Sequence, residues 1–147
     1  MPFRTPPDAP RDLLSLIQAE LRERLEEAID HACLGAMVGA RQAAGEPVPV
    51  ADDARDREEF TASVRSFLER LRDEIPADAN EATRPDDQAP PGHDGEEWRL
   101  LAIQAARARA LPDYWERFDA ARVAFTADYP QLRRARRGVL GRLFGRG

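Results

Sequence analysis

Hydrophobic positions recur every three or four residues in several separate stretches of the chain, which is the period of an amphipathic α-helix. The first stretch begins near Arg11, and its apolar stripe is formed by Leu14, Ile17, Leu21, Leu25, Ala28 and Ala32. The second has a continuous apolar face of Phe60, Val64, Phe67, Leu68, Leu71 and Ile75. The first helix is expected to end at Gly45, and Asp52 or Asp53 can cap the second. Residues 11–75 are therefore predicted to form a helical hairpin.

Two more helices are predicted in residues 96–130. The third begins after Asp94 or Gly95, and Pro112 interrupts it. The fourth carries aromatic side chains on one side, at Tyr114, Trp115, Phe118 and Phe125. Pro130 is expected to end this helix, because proline lacks the backbone donor that a helix interior needs. The two helices are predicted to form a second hairpin, so the fold class is a small all-α bundle of about four helices.

Three segments fall outside these helices. Residues 1–10 contain four prolines and are predicted to be an extended arm. Residues 76–95 carry no large apolar side chain, which predicts a flexible acidic and proline-rich linker. Residues 131–147 form an arginine-rich tail with the pattern of a basic amphipathic helix. Its Gly138 and Gly141 disfavour an isolated helix, so we expect the tail to be ordered only when a partner covers its apolar side.

Charge is distributed unevenly along the chain. Residues 1–95 contain 11 arginines against 21 acidic residues, a net charge of −10. Residues 96–147 contain 11 arginines against 6 acidic residues, a net charge of +5. The chain has no lysine and a single cysteine, and its beginning lacks the apolar core of a signal peptide. A cytoplasmic protein is therefore expected.

The candidate for metal chemistry is the pair Glu27 and His31, which stand one helical turn apart on the first helix. Two-metal carboxylate bundles repeat a Glu-x-x-His unit on paired helices, whereas this chain has one Glu-x-x-x-His. A solvated helix face is the first interpretation, and a metal-storage or enzymatic bundle is the alternative. Cys33 lies among small apolar residues, which favours a buried, inert thiol. No phosphate-binding loop or nucleophile motif is present, so no cofactor and no catalysis is predicted.

Gly35 and Gly39 form a small-x-x-x-small pattern that lets a second helix approach closely. A neighbouring helix of the same chain would produce an intramolecular crossing. The same helix of a second copy would produce a homodimer, and closed symmetric dimers are the commonest oligomers. The sequence leaves both interpretations open.

The arginine-rich tail is the feature that points to a partner, because it holds six arginines and no acidic residue. Guanidinium groups can bind anionic lipid headgroups while the interleaved apolar residues enter the interface. The same charges can bind nucleic-acid phosphates, although the tail has a single aromatic residue for base stacking. A third interpretation is that the acidic first half, of this chain or of a partner, receives the tail. A disordered tail that only aids solubility is the remaining interpretation. The predicted contact residues are Arg133, Arg134, Arg136, Arg137, Leu140, Arg142, Leu143 and Phe144.

These features together predict a non-catalytic helical adaptor or assembly protein that acts by protein–protein binding. Its tail is expected to dock on an anionic surface or on a partner. The alternatives are the metal-binding bundle at Glu27 and His31 and a nucleic-acid-binding protein that uses the tail. A cytoplasmic location that includes the periphery of a membrane fits the leading interpretation.

Overall fold

The structure is a computed structural model that describes residues 9–76, 92 and 94–144. In residues 9–12, 14, 15 and 137–144 it describes the helix but not the side chains. Most of the predicted extended arm, 1–10, and most of the predicted linker, 76–95, therefore lie outside the described residues.

Four helices account for most of the described chain: α1 (Ala9–Ala43), α2 (Ala54–Glu74), α3 (Gly95–Ala110) and α4 (Tyr114–Phe144). The described ranges contain no β-strand. The prediction of a small all-α bundle is confirmed. Among these helices, none is both long enough and apolar enough to cross a bilayer.

An aspartate caps the start of each of the helices α2 and α3. The carboxylate of Asp53 accepts hydrogen bonds from the backbone N–H groups two and three residues later. Asp94 does the same at the start of α3. Each carboxylate satisfies N–H groups that have no partner inside the helix, and its charge is favourable at the positive end of the helix dipole. The predicted starts of both helices are confirmed.

Contacts between the helix ends define how the helices run. α1 and α2 are antiparallel, since Arg41 near the end of α1 contacts Asp56 near the start of α2. α4 is parallel to α1. The guanidinium of Arg24 lies 4.3 Å from the ring centre of Trp115 at the start of α4. Further along α4, Arg133 joins the same ion-pair cluster as Arg41.

α3 runs parallel to α2. Arg65 pairs with Asp94 at 2.8 Å at the start of α3, and Gln104 contacts Ile75 just beyond the end of α2. The connection between α2 and α3 therefore returns the chain to the middle of α2. Although a short turn at residues 111–113 joins α3 to α4, each of these helices contacts α1 and α2 more than the other. The predicted second hairpin is thus not a separate packing unit.

One hydrophobic core joins all four helices. Phe67 of α2 is fully buried, and its ring centre lies 5.5 Å from that of Phe118 and 4.9 Å from that of Phe125. The predicted apolar face of α2 and the aromatic side of α4 therefore meet. Other buried members of this core are Leu25, Ile29, Cys33, Met37, Leu71, Leu100, Leu101, Tyr114 and Ala121. The two halves of the chain fold as one unit.

A buried polar contact connects the ends of three helices. The side chain of Gln104 on α3 has no exposed surface. Its amide oxygen accepts a hydrogen bond of 2.8 Å from the hydroxyl of Tyr114, and its amide nitrogen donates to the carbonyl of Ile75 at 3.3 Å. Because both ends of the amide have partners, this contact aligns α3 with the end of α2 and the start of α4.

Helix α4 continues through Pro130, so the prediction that it ends there is wrong. A proline inside a helix costs roughly 3 kcal/mol, because one backbone hydrogen bond is lost and its ring crowds the preceding turn. Packing on both sides of the proline offsets this cost. Tyr129 is 3% exposed, Leu132 packs against the core, and Arg133 is 8% exposed. The first residues of the predicted tail therefore belong to the bundle.

The beginning of α1 carries apolar side chains that no other helix covers. Leu13 and Leu16 are 58% and 65% exposed, and Ile17 is 36% exposed. Among the described side chains of α1, Leu21 is the first that packs against the core. The prediction that Ile17 belongs to the buried stripe is wrong, because α1 extends about 18 Å before it reaches the other helices.

Candidate functional site

A cluster of charged side chains lies where the end of α1, the start of α2 and the second half of α4 meet. We call it the Glu59 cluster, and its members are Arg41, Glu46, Asp56, Glu59, Tyr129 and Arg133. The carboxylate of Glu59 is at its centre. It accepts hydrogen bonds from Arg41 at 3.2 Å and from the Tyr129 hydroxyl at 2.8 Å, and it lies 3.3 Å from Nε of Arg133. One carboxylate thus joins two helices to α2.

Two further carboxylates complete the cluster. Arg133 forms a two-pronged pair with Glu46, with N–O distances of 2.6 and 3.1 Å. Arg41 lies 2.6 Å from Asp56, whose second oxygen accepts a hydrogen bond from the backbone N–H of Val50. The two-pronged pair of Arg133 with Glu46 suits arginine in particular, because its guanidinium is planar and presents parallel donors. Both guanidinium groups are 11% exposed or less, so the cluster is largely withdrawn from solvent.

The end of α1 positions Glu46. Gly45 has a φ of +71°, which a side chain would disfavour, and it turns the chain back on the helix. The N–H groups of Gly45 and Glu46 then donate to the carbonyls of Gln42 and Arg41. This is the hydrogen-bond pattern of a Schellman cap. The residue after the glycine is thereby directed toward α4, and the predicted end of the first helix is confirmed.

The proton affinities of the cluster follow from these contacts. Burial opposes ionisation of Glu59, but the hydrogen bonds from Tyr129 and Arg41 outweigh it, so the pKa of Glu59 lies below its usual value. The backbone N–H of Val50 and then Arg41 lower the pKa of Asp56. The bond to Asp56 raises the pKa of Arg41, and burial raises the pKa of Tyr129. Arg41, Asp56 and Glu59 are therefore ionised at neutral pH.

The cluster forms one wall of an open cleft of about 680 Å³. Val48 and Val50 of the connection between α1 and α2 line the cleft, together with Arg55 and Arg136. The guanidiniums of Arg41 and Arg133 already have carboxylate partners inside the protein. What this arrangement does chemically is to clamp the second half of α4 onto the end of the α1–α2 pair.

Stability is expected to decrease in acid because of this cluster. A carboxyl whose pKa is lowered by folding stabilises the folded state above its usual pKa, and the contribution disappears as the pH falls through the lowered value. For Glu59 the decrease should begin below about pH 4.5. We expect the Glu59→Gln variant to lose less stability than the wild type between pH 5 and pH 3, as measured by urea unfolding. Folding also lowers the pKa values of Asp56, Asp94 and Asp113, which both proteins retain. Equal losses in the two proteins would therefore contradict the assignment to Glu59.

The metal candidates Glu27 and His31 are both exposed on α1. Within the described ranges, no group of three or more histidine, cysteine or acidic side chains is arranged to hold a metal ion. Cys33 is fully buried, and this burial raises its pKa to about 12. The thiol therefore remains protonated at neutral pH and is the inert group that its neighbours in sequence predicted.

Gly35 and Gly39 lie on the exposed side of α1, and a Cβ atom built on either would have no neighbour within 4 Å. The intramolecular crossing considered for these glycines is therefore wrong. The homodimer interpretation remains a prediction.

The structure describes the side chains of only some of the predicted contact residues of the tail. Arg133 is buried and bound to Glu46 and Glu59, so the acidic first half of this chain receives it and its side chain is not exposed to a partner. The burial of α4 beyond Pro130 is the physical reason. Arg134 is exposed and Arg136 is half-buried at the cleft. The remaining predicted contacts lie outside the described side chains, and these are Arg137, Leu140, Arg142, Leu143 and Phe144.

The chain matches no protein-family model, no curated protein and no solved structure.

Proposed function

We propose that this protein is a non-catalytic helical adaptor and that the last turns of α4 dock the bundle on an anionic lipid surface. The observation that carries the proposal is the continuity of α4, which runs from Tyr114 in the core through Phe144. Arg133 anchors this helix in the Glu59 cluster on the way. A helix that is anchored in this manner couples the position of its end to the orientation of the whole bundle.

The charge of the segment supports an anionic surface. Residues 131–147 contain six arginines and no acidic residue, and Arg134 is exposed. Each arginine close to an anionic membrane contributes about 1 kcal/mol of attraction. The internal pairing of Arg133 removes one of the six from this role.

The spacing of apolar positions supports lipid over nucleic acid. Val139, Leu140 and Leu143 follow Leu132 by seven, eight and eleven residues, which places these positions on one helix face. Leu132 itself packs against the core, so these positions continue the core-facing stripe of α4 along the helix. A helix with an apolar stripe among arginines lies in the plane of a membrane interface.

Vesicle binding by the full chain tests the proposal. The variant Arg137→Gln/Arg142→Gln/Arg146→Gln retains Leu132 and Arg133 and therefore the anchored part of α4. It should bind vesicles that contain phosphatidylserine about 100-fold more weakly than the wild type, because three arginines each contribute about 1 kcal/mol. Binding of both proteins should decrease as salt is added.

The matched control is Arg57→Gln/Arg99→Gln/Arg109→Gln, which makes the same change in net charge at exposed positions of α2 and α3. It should bind anionic vesicles as the wild type does, and neither protein should bind neutral phosphatidylcholine vesicles. Equal weakening in both triple variants would contradict docking through α4. Equally tight, salt-sensitive binding to an RNA duplex would show a general attraction to polyanions.

A further inference from the structure

The outer face of α1 has a pattern that its buried face does not explain. Positions 13, 17, 20, 24, 27, 31, 34 and 38 are separated alternately by four and three residues, which is the a/d spacing of a coiled coil over more than three heptads. This face points away from the core, since Leu25, Ile29 and Ala36 are buried on the opposite side. Val38 is half-buried, and the other seven side chains are exposed.

The ends of this face are apolar. Leu13 is 58% exposed, Ile17 is 36% exposed and Leu34 is 47% exposed. Leu16, which flanks the face, is the most exposed of them at 65%. In the described part of the chain, four of the seven exposed large hydrophobic side chains thus lie on or beside this face, three at one end and Leu34 at the other. Leu13, Leu16 and Ile17 lie together, and concentrated exposure of this kind marks an interaction surface, whereas isolated exposed residues do not.

The middle of the face is polar, in the order Glu20, Arg24, Glu27 and His31, and the imidazole of His31 can donate a hydrogen bond to a carboxylate. An antiparallel second copy of α1, related by a twofold axis between positions 25 and 26, would bring Glu20 opposite His31 and Arg24 opposite Glu27. Arg24 stacks on Trp115 through the flat face of its guanidinium. Its N–H groups lie in the plane of the guanidinium, so stacking does not prevent them from donating to Glu27 of the second copy.

The same twofold axis matches the apolar ends. Leu13 falls opposite Val38, and Ile17 falls opposite Leu34. Every a position then meets a d position, as antiparallel packing of two such helices requires. A parallel pair would instead bring Glu20, Arg24 and Glu27 each against its own copy, and like charges in contact are unfavourable. A shift of one heptad would bring Ile17 against Glu27. One orientation and one register therefore satisfy all eight positions.

We infer that the protein forms a homodimer through the outer faces of two antiparallel α1 helices. The occupant of the exposed apolar stripe is a second copy of the chain, because the stripe is complementary to itself in both charge and apolar character. Gly35 and Gly39 flank this face with open space above them, which allows the two helices to approach closely. The inference is independent of the docking proposed for α4.

Sedimentation equilibrium of the full chain tests the stoichiometry. The wild type should dimerise, and Leu34→Asp should raise the dissociation constant at least tenfold with an unchanged unfolding midpoint measured in dilute solution. Val123→Asp is the matched control, because Val123 is 54% exposed on α4 and away from this face. A wild type that remains monomeric at several hundred micromolar, or an equal effect of the two aspartate variants, would overturn the inference.

Charge reversal tests the register. Glu27→Arg should weaken the dimer at least tenfold, because it places two arginines opposite each other, and Arg24→Glu/Glu27→Arg should recover most of the loss. Failure of the double variant to recover would overturn the pairing of these positions.

Cysteine crosslinking tests the orientation. A mixture of Leu13→Cys and Val38→Cys chains should form a disulfide between the two variants, since Cys33 is buried and does not compete. Disulfides between two chains of the same variant, and none between the two different variants, would show a parallel pair and overturn the inference.

Discussion

The variant Glu59→Ala is expected to lose about 1–3 kcal/mol of unfolding free energy, the cost of leaving buried hydrogen-bond donors without one of their acceptors. The carboxylate of Glu59 faces Arg41, Tyr129 and Arg133, and its removal leaves two buried guanidiniums with less compensating charge. The desolvation of these groups is not recovered when their partner is absent. Urea denaturation at pH 7 measures the change.

Glu58→Ala is the matched control for this experiment. Glu58 is the preceding residue of α2 and is exposed, so its replacement should change stability by less than about 0.5 kcal/mol. A double-mutant cycle with Tyr129→Phe should give a coupling energy between Glu59 and Tyr129 of about 0.5–3 kcal/mol. Equal stabilities of the Glu58 and Glu59 variants, or strictly additive effects in the cycle, would show that the cluster does not hold α4.

Phe67→Ala should have a larger effect, about 3–5 kcal/mol, for a different reason. Phe67 is fully buried between Phe118 and Phe125, so truncation leaves a cavity that two rings of one helix cannot fill without moving. Thermal and urea unfolding both measure it.

Two control variants accompany Phe67→Ala: one replaces Phe67 by a smaller apolar residue, and the other changes an exposed residue of α2. Phe67→Leu retains most of the volume and should cost less than about 1.5 kcal/mol. Glu69→Ala lies on the exposed side of α2 and should cost less than about 0.5 kcal/mol. A loss for Phe67→Ala no larger than for Glu69→Ala would mean that α2 does not pack on α4 as described.

Local patterns were enough to predict the helices. The period of Phe60, Phe67 and Leu71 follows from the geometry of one helix, and so does the capping by Asp53 and Asp94. The end of α4 could not be predicted in the same way. Proline argues locally against a helix, and the contacts that offset its cost come from residues far away in the sequence.

The Glu59 cluster shows the same limit of local reasoning. The local sequence predicts Glu59 and Arg41 to be ordinary exposed residues at polar helix positions. Glu46 follows a glycine in the connection between α1 and α2. Only the arrangement of α1, α2 and α4 brings them together. The segment from residue 131 onward lacks any acidic residue to neutralise Arg133 locally, and this pattern alone predicts a surface tail. The spacing of Ile17 likewise fits the inner stripe of α1 as well as its outer face, so local periodicity does not separate the two.

The ion pairs of the Glu59 cluster also constrain the order in which the bundle folds. Arg133 and Glu46 are 87 residues apart, and Tyr129 and Glu59 are 70 apart, so their contacts close long loops of chain. The Schellman turn after α1 and the pairing of α1 with α2 need much shorter loops. Because closing long loops slows folding, α4 as a whole should join the bundle after α1 and α2 have paired. Local opening should then begin with α4, and the ion pairs of Arg133 oppose that opening at its second half.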